Sequence, residues 1–115
     1  MNIKINGKIL IAAPTGEIDH HAAERFRAQI DSAFEKSSCR HIILDMKDVT
    51  FMDSSGIGMI IGRYKKAESG GGKLTLSNMS EAVTKLFNIS GLAKIISRAE
   101  NTQEAIIKLG GNIND

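Results

Sequence analysis

Apolar positions along the chain change period several times. Ile3 and Ile5 alternate with polar residues, Asn6-Gly7 follows, and Ile9 to Ala13 is apolar. Asn-Gly between apolar segments predicts a tight hairpin, with strands over 2–5 and 8–14. Pro14 closes the second strand, and Thr15-Gly16 reads as the start of a loop. Asp19 is suited to cap a helix. Ala22, Ala23, Phe26, Ile30, Ala33 and Phe34 then recur at helical spacing and predict an amphipathic helix over 20–36. Ile42-Ile43-Leu44 reads as a short buried strand within 41–46. Ile57, Ile60, Ile61, Tyr64 and Ala67 return to the helical period, predicting a helix over 55–68 that Gly70-Gly71-Gly72 ends. A strand over 73–77 carries Leu74 and Leu76, and Ser80 caps a helix bearing Val83, Leu86 and Phe87. Ile95-Ile96 reads as a short strand. Asn101 and Glu104 resemble a capping box that opens a last helix through Leu109, with 110–115 as a loose tail.

The order is thus β-β-α-β-α-β-α-β-α. Strands alternating with helices imply an α/β fold with right-handed crossovers. The expected sheet is mixed and mainly parallel, of four to five strands, with about four helices and an opening antiparallel hairpin. No linker, repeat or low-complexity block divides the sequence, so residues 1–115 read as one domain.

Composition narrows the class. A chain of 115 residues with 42% apolar residues can bury a core without staples, and four Phe, one Tyr and no Trp make that core aliphatic. The net charge of +2 is scattered. The densest basic run, Arg63-Tyr64-Lys65-Lys66, reads as a solvated helix face, which argues against nucleic acid as a partner. The single cysteine, Cys39, has no internal partner for a disulfide. The N-terminus has no signal-peptide pattern, and no apolar run approaches the roughly 20 residues of a membrane span. A cytoplasmic protein with no membrane partner is expected.

The chemistry concentrates in Phe51-Met52-Asp53-Ser54-Ser55-Gly56-Ile57-Gly58-Met59-Ile60-Ile61-Gly62. Sites in open α/β sheets lie beyond the carboxyl ends of strands, where this segment falls. Asp53 or Ser54 suits a helix cap, and an ordinary capped turn would account for both. The helical wheel adds something further. With Ile57, Ile60, Ile61, Tyr64 and Ala67 turned to the sheet, Ser55, Gly58, Met59, Gly62 and Lys66 face outward. Two interior glycines cost about 1 kcal/mol each relative to alanine. A bare strip beside Ser55, with Met59 as an adaptable apolar contact, reads as a docking surface. The alternative is that another element of the same chain packs over it. Ser55 itself begins a helix, where backbone N–H groups and the dipole favour negative charge. A phosphate there would spare the fold while placing charge and bulk in the way of a partner.

Other motifs fail on spacing. Gly56-x-Gly58-x-x-x-Gly62 is one residue long for a dinucleotide fingerprint, and Gly70-Gly71-Gly72-Lys73 lacks the first glycine and the hydroxyl residue of a P-loop. His20 and His21 are adjacent and diverge on a helix, so they do not form a metal-chelating pair. No nucleophile elbow surrounds any serine. Neither metal nor cofactor is expected, and no catalytic residue is assigned.

Gly16-Glu17-Ile18-Asp19-His20-His21, Arg40-His41-Ile42-Ile43-Leu44, Phe51-Met52-Asp53-Ser54-Ser55-Gly56-Ile57-Gly58 and Gly62-Arg63-Tyr64-Lys65 together resemble the STAS domain. More narrowly they resemble its sporulation anti-sigma F factor antagonists, and the likeness runs from about Ile3 to Leu109. The resemblance implies a STAS fold and a regulatory protein rather than an enzyme. It implies that the unmodified form binds the anti-sigma F factor, a serine kinase carrying nucleotide, and so frees a sigma factor for sporulation transcription. It implies phosphorylation of the serine before glycine, Ser55, and reactivation by a PP2C-type serine phosphatase. Asp19 is implied as a second contact with the kinase. With Asp53, Ser54, Gly56, Gly58, Met59 and Gly62 it makes up the expected partner-binding set.

Overall fold

The computed structural model describes residues 1–112. Two strands, β1 (Asn2–Asn6) and β2 (Ile9–Ala13), form the expected antiparallel hairpin. Its two-residue loop opens on Gly7 at φ 58°, a conformation that glycine adopts without steric cost. β3 (Thr15–Ile18) leads into helix α1 (His20–Lys36). β4 (His41–Asp45) and β5 (Asp48–Met52) precede α2 (Ser54–Ser69), and β6 (Leu74–Ser77) precedes α3 (Glu81–Ile89). A 3-10 turn at Leu92–Lys94, the strand β7 (Ser97–Ala99) and α4 (Thr102–Lys108) complete the order.

The main sheet has five strands in the order β1-β2-β4-β6-β7, antiparallel only between β1 and β2. Its period-two alternation splits the core. Leu10, Ala12, Ile42, Leu44, Leu74 and Leu76 point to the face covered by α1 and α2, where they join Phe26, Ile30, Ile60 and Ala67. Ile9 and Ile43 point to the other face and meet Ala105 and Ile106 of α4. This is the expected mixed, mainly parallel arrangement.

Four expectations are revised. Thr15-Gly16 belongs to a strand, β3, and β5 was not foreseen at all. The two pair in parallel as a separate two-stranded sheet, with a register shift between Gly16 and Glu17. That shift breaks the alternation: Val49 and Met52 are buried three residues apart, and only Ile18 of β3 is buried. The last strand falls at Ser97–Ala99 rather than Ile95-Ile96. Ile96 turns into the core from the end of the 3-10 turn, and Ile95 remains exposed. Finally, Gly110–Asn112 are tied back rather than loose. The Gly111 N–H donates to Ile106 O at 2.9 Å, and Asn6 Nδ2 donates to Asn112 O at 2.9 Å. The expectation for 113–115 lies outside the described residues.

The turn from α2 to β6 is held against the start of β4. Gly72 lies so close to Arg40 that a Cβ there would come within 1.7 Å of the Arg40 carbonyl oxygen. Beside it the Lys73 N–H donates to His41 Nδ1 at 3.0 Å, which places the ring proton on Nε2. Burial, then the neighbouring Arg40 and Lys73 charges, hold the His41 pKa below its ordinary value.

Two outcomes are expected. Gly72→Ala destabilises on the order of 4 kcal/mol, because the obstructing atoms are backbone, and denaturant unfolding measures it. Because the folded state resists protonating His41, stability falls as pH drops below about 6.5 and the fall levels off beneath the lowered folded pKa. His41→Gln flattens that step in a pH series of unfolding midpoints, and carboxylate titration enters only at more acidic pH.

Candidate functional site

Two strands, each followed by a helix, build the site. β3 and β5 run parallel with Ile18 opposite Met52, and the Asp53 N–H donates to Ile18 O at 3.2 Å. One residue later each chain segment turns into a helix, so α1 and α2 begin side by side. Both are capped by aspartate. Asp19 Oδ1 accepts from the Ala22 N–H at 2.8 Å, and Asp53 Oδ1 accepts from the Ser55 N–H at 2.8 Å. The hydrogen bond from Ala22 is the main cause that holds the Asp19 pKa below the ordinary carboxylate value, with smaller help from the charges of His21 and Arg25. Both aspartates and Ser54 are exposed, and Ser55 is half-buried.

Between the two helices runs a groove of about 340 Å³, lined by His20, Ala23, Ser55, Gly58, Met59 and Gly62, with Glu24, Arg27 and Arg63 at its charged end. Gly58 and Gly62 flank open space: a Cβ built at either position meets nothing within 4 Å. Among the described residues no other element packs over them, so internal packing there does not call for glycine at either place. Gly56 is different. It is buried, and a Cβ there would lie 2.7 Å from Met52 Cβ and 3.2 Å from Ile18 Cγ2. Gly56 lets α2 start directly against the β3–β5 pair.

The outward orientation expected of Met59 is corrected. Met59 is 4% exposed and part of the core, with Ala23 beside it in the groove floor. The buried residues of α2 are Gly56, Met59, Ile60, Arg63 and Ala67, whereas Ile57, Ile61 and Tyr64 are only partly covered. The helix is covered on two sides, by the sheet and by α1, so its buried arc is turned from the one that the isoleucines suggest.

Arg63 was not foreseen. Far from being a solvated charge, it is 7% exposed, with Nε 2.8 Å from Asp31 Oδ1 of α1. The approach is too oblique to make a good hydrogen bond, and among the described residues the buried Nη1 has no hydrogen-bond partner. Burial lowers the Arg63 pKa, and the Asp31 charge acts against that. Arg27 and Lys66 add weaker contacts to the same aspartate, at 3.7 and 3.9 Å. Asp31, on the covered side of α1 opposite this basic run, was the available signal.

Among the described residues no cluster of metal-binding side chains occurs, and no helix is long and apolar enough to cross a membrane. The arrangement offers a half-buried serine, Ser55, and two exposed carboxylates at paired helix ends beside a glycine-lined groove.

The STAS domain model matches residues 1–105. The anti-sigma F factor antagonist of Paenibacillus polymyxa is 38% identical over 113 residues, spanning 95% of this chain and 97% of that protein. The anti-sigma-B factor antagonist of Bacillus subtilis (strain 168) is 33% identical, spanning 92% and 95%. Among solved structures, the anti-sigma factor antagonist SpoIIAA in its unphosphorylated form superposes with a TM-score of 0.81 at 34% identity, covering 95% of each chain. The Bacillus cell fate determinant SpoIIAA in the phosphorylated form gives 0.71 at 33% identity, covering 93% of this chain and 96% of that one. A matched domain over nearly its whole length, on a fold that sets two capped helices side by side, means that this chain belongs to the STAS domain family, with relatives named anti-sigma factor antagonists.

Proposed function

We propose that this chain is an anti-sigma factor antagonist and a regulatory binding protein rather than an enzyme. Its unphosphorylated form binds an anti-sigma F factor serine kinase with bound nucleotide, and the sigma factor is released for sporulation transcription. Phosphorylation of Ser55 ends the binding, and a PP2C-type serine phosphatase restores it. The names of the full-length relatives support the antagonist role, and the existence of a phosphorylated SpoIIAA supports the switch.

The observation that carries the docking face is the open space over Gly58 and Gly62. Each glycine costs α2 about 1 kcal/mol, and nothing inside the protein recovers that cost. A partner backbone or side chain approaching the helix closely would. The docking set is therefore Asp19, Asp53, Ser54 and Ser55 at the rim, with Gly58 and Gly62 along the strip. Gly56 and Met59 serve beneath it, by seating α2 and filling the floor.

The switch follows from where Ser55 lies. Its side chain borders the groove without filling a core position, so a phosphate is added at the surface. A group carrying roughly −1.5 to −2 charges then stands at the mouth of the strip. Binding of a surface that had fitted bare glycine is lost through bulk and desolvation.

Incubation with the anti-sigma kinase and MgATP is expected to add one phosphate by intact mass, and Ser55→Ala to abolish it. Phosphate on Ser54, or none on either serine, overturns the assignment. A paired test separates strip from floor. Gly58→Ala is expected to stabilise the fold by about 1 kcal/mol yet weaken kinase binding about tenfold or more. Met59→Ala is expected to destabilise by about 2–5 kcal/mol. Unchanged kinase binding by Gly58→Ala would remove the strip from the interface.

A further inference from the structure

The first turn of α2 has little spare capacity for a second anion. The Ser55 N–H is already donated to the Asp53 carboxylate at 2.8 Å, and the Gly56 and Ile57 N–H groups are turned to the Asp53 carbonyl at 3.1 and 3.3 Å. A phosphate on Ser55 would share that turn with the charge of Asp53. The positive end of its own helix thus offers such a phosphate little further pairing, which a nearby cation would supply.

The groove supplies one. His20 lines the same cavity as Ser55, from the opposite wall. The β3–β5 register brings them level: His20 follows Ile18 by two residues, Ser54 follows Met52 by two, and Ser55 is next. His20 is exposed, and its ring meets that of His21 edge-on at 5.8 Å between centroids. The other cations of the groove are engaged. Arg27 binds Glu24 at 3.0 Å, and Arg63 faces Asp31.

Resting on the reading of Ser55 as the phosphorylated residue, we propose that His20 is the positioning residue for that phosphate, pairing with it across the mouth of the groove between α1 and α2. The modified serine is then drawn over the glycine strip instead of standing out into solvent. Inactivation acts by filling the docking groove as well as by adding charge. The other ionisable groups around this pair are Asp19, His21, Glu24 and Arg27 on α1, and Asp53 and Arg63 on α2. Asp19, Glu24 and Asp53 are the carboxylates among them, and Glu24 lies four residues along α1 from His20. The same carboxylates oppose the phosphate, which makes a cation at residue 20 the group that sets its position.

The test uses the full chain with phosphoserine genetically encoded at position 55, so it does not depend on any kinase. The His20 and His21 imidazoles are followed by NMR through a pH series, and the phosphate by its phosphorus resonance. Relative to the unmodified chain, the His20 midpoint is expected to rise by about 0.5–1 unit, with His21 moving less. In His20→Gln, which keeps polarity and bulk, the second ionisation of the phosphate is expected to shift upward by a similar amount, while His21→Gln leaves it in place. Equal movement of both histidines, or a phosphate ionisation indifferent to His20→Gln, overturns the proposal. Failure of the kinase to modify Ser55 would instead count against the function proposed above and would leave this readout intact.

Discussion

The arrangement rests on the parallel pairing of β3 with β5. These two short strands stand apart from the five-stranded sheet and bury few side chains, yet they fix where α1 and α2 begin. Because Ile18 lies opposite Met52, the helices that follow start level and adjacent. Gly56 permits the contact, since any side chain there would strike Met52 and Ile18. A slip by one residue would turn the buried side chains outward and would also stagger the two capped helix ends. The two exposed aspartates and the serine of the site depend on that register.

Farther along, the same two helices are joined by a charged contact. Arg63 and Asp31 face each other at 2.8 Å with little access to water. Such a pair is a weak source of net stability, because desolvation offsets much of the attraction, but breaking it leaves a buried charge. Its effect is to disfavour any sliding of α2 along α1 that would separate the pair. The fold thus holds the groove open at its N-terminal end with small residues and fixes its width at the other end with charge. A groove kept open in this way sacrifices helix propensity at Gly58 and Gly62. Local rules are broken where a protein meets something outside itself.

Most of the frame was legible because it follows simple periods. The hairpin shows through Asn6-Gly7, β4 through Ile42-Ile43-Leu44, and α1 through six apolar positions at helical spacing. The pair β3 and β5 was hidden because a register shift at Gly16 and Glu17 spoils their alternation. β7 was hidden because its residues, Ser-Arg-Ala, carry no apolar signal, and the adjacent Ile95 is exposed. At the site, the Asp53-Ser54-Ser55 turn was readable from cap chemistry, and the open strip from the two glycines. Met59 and Arg63 were assigned to solvent because a helical wheel assumes one buried face. α2 has two, and its second face is visible only once Asp31 is seen across the seam.

The cap itself bears on why a serine here would suit the proposed switch and spare the fold. Asp53 already supplies the negative charge that the start of α2 favours, and it does so with or without modification at Ser55. The helix therefore does not need a phosphate in order to form, and losing one does not unwind it. A switch residue that was also the cap would couple signalling to folding, since each dephosphorylation would remove a helix-terminal anion. Dividing the tasks between neighbouring residues would leave Ser55 free to change charge in the proposed switch while the Asp53 bond and the Gly56 contact hold the backbone still. Modification would then alter what the surface presents to a partner, with the architecture beneath it unchanged.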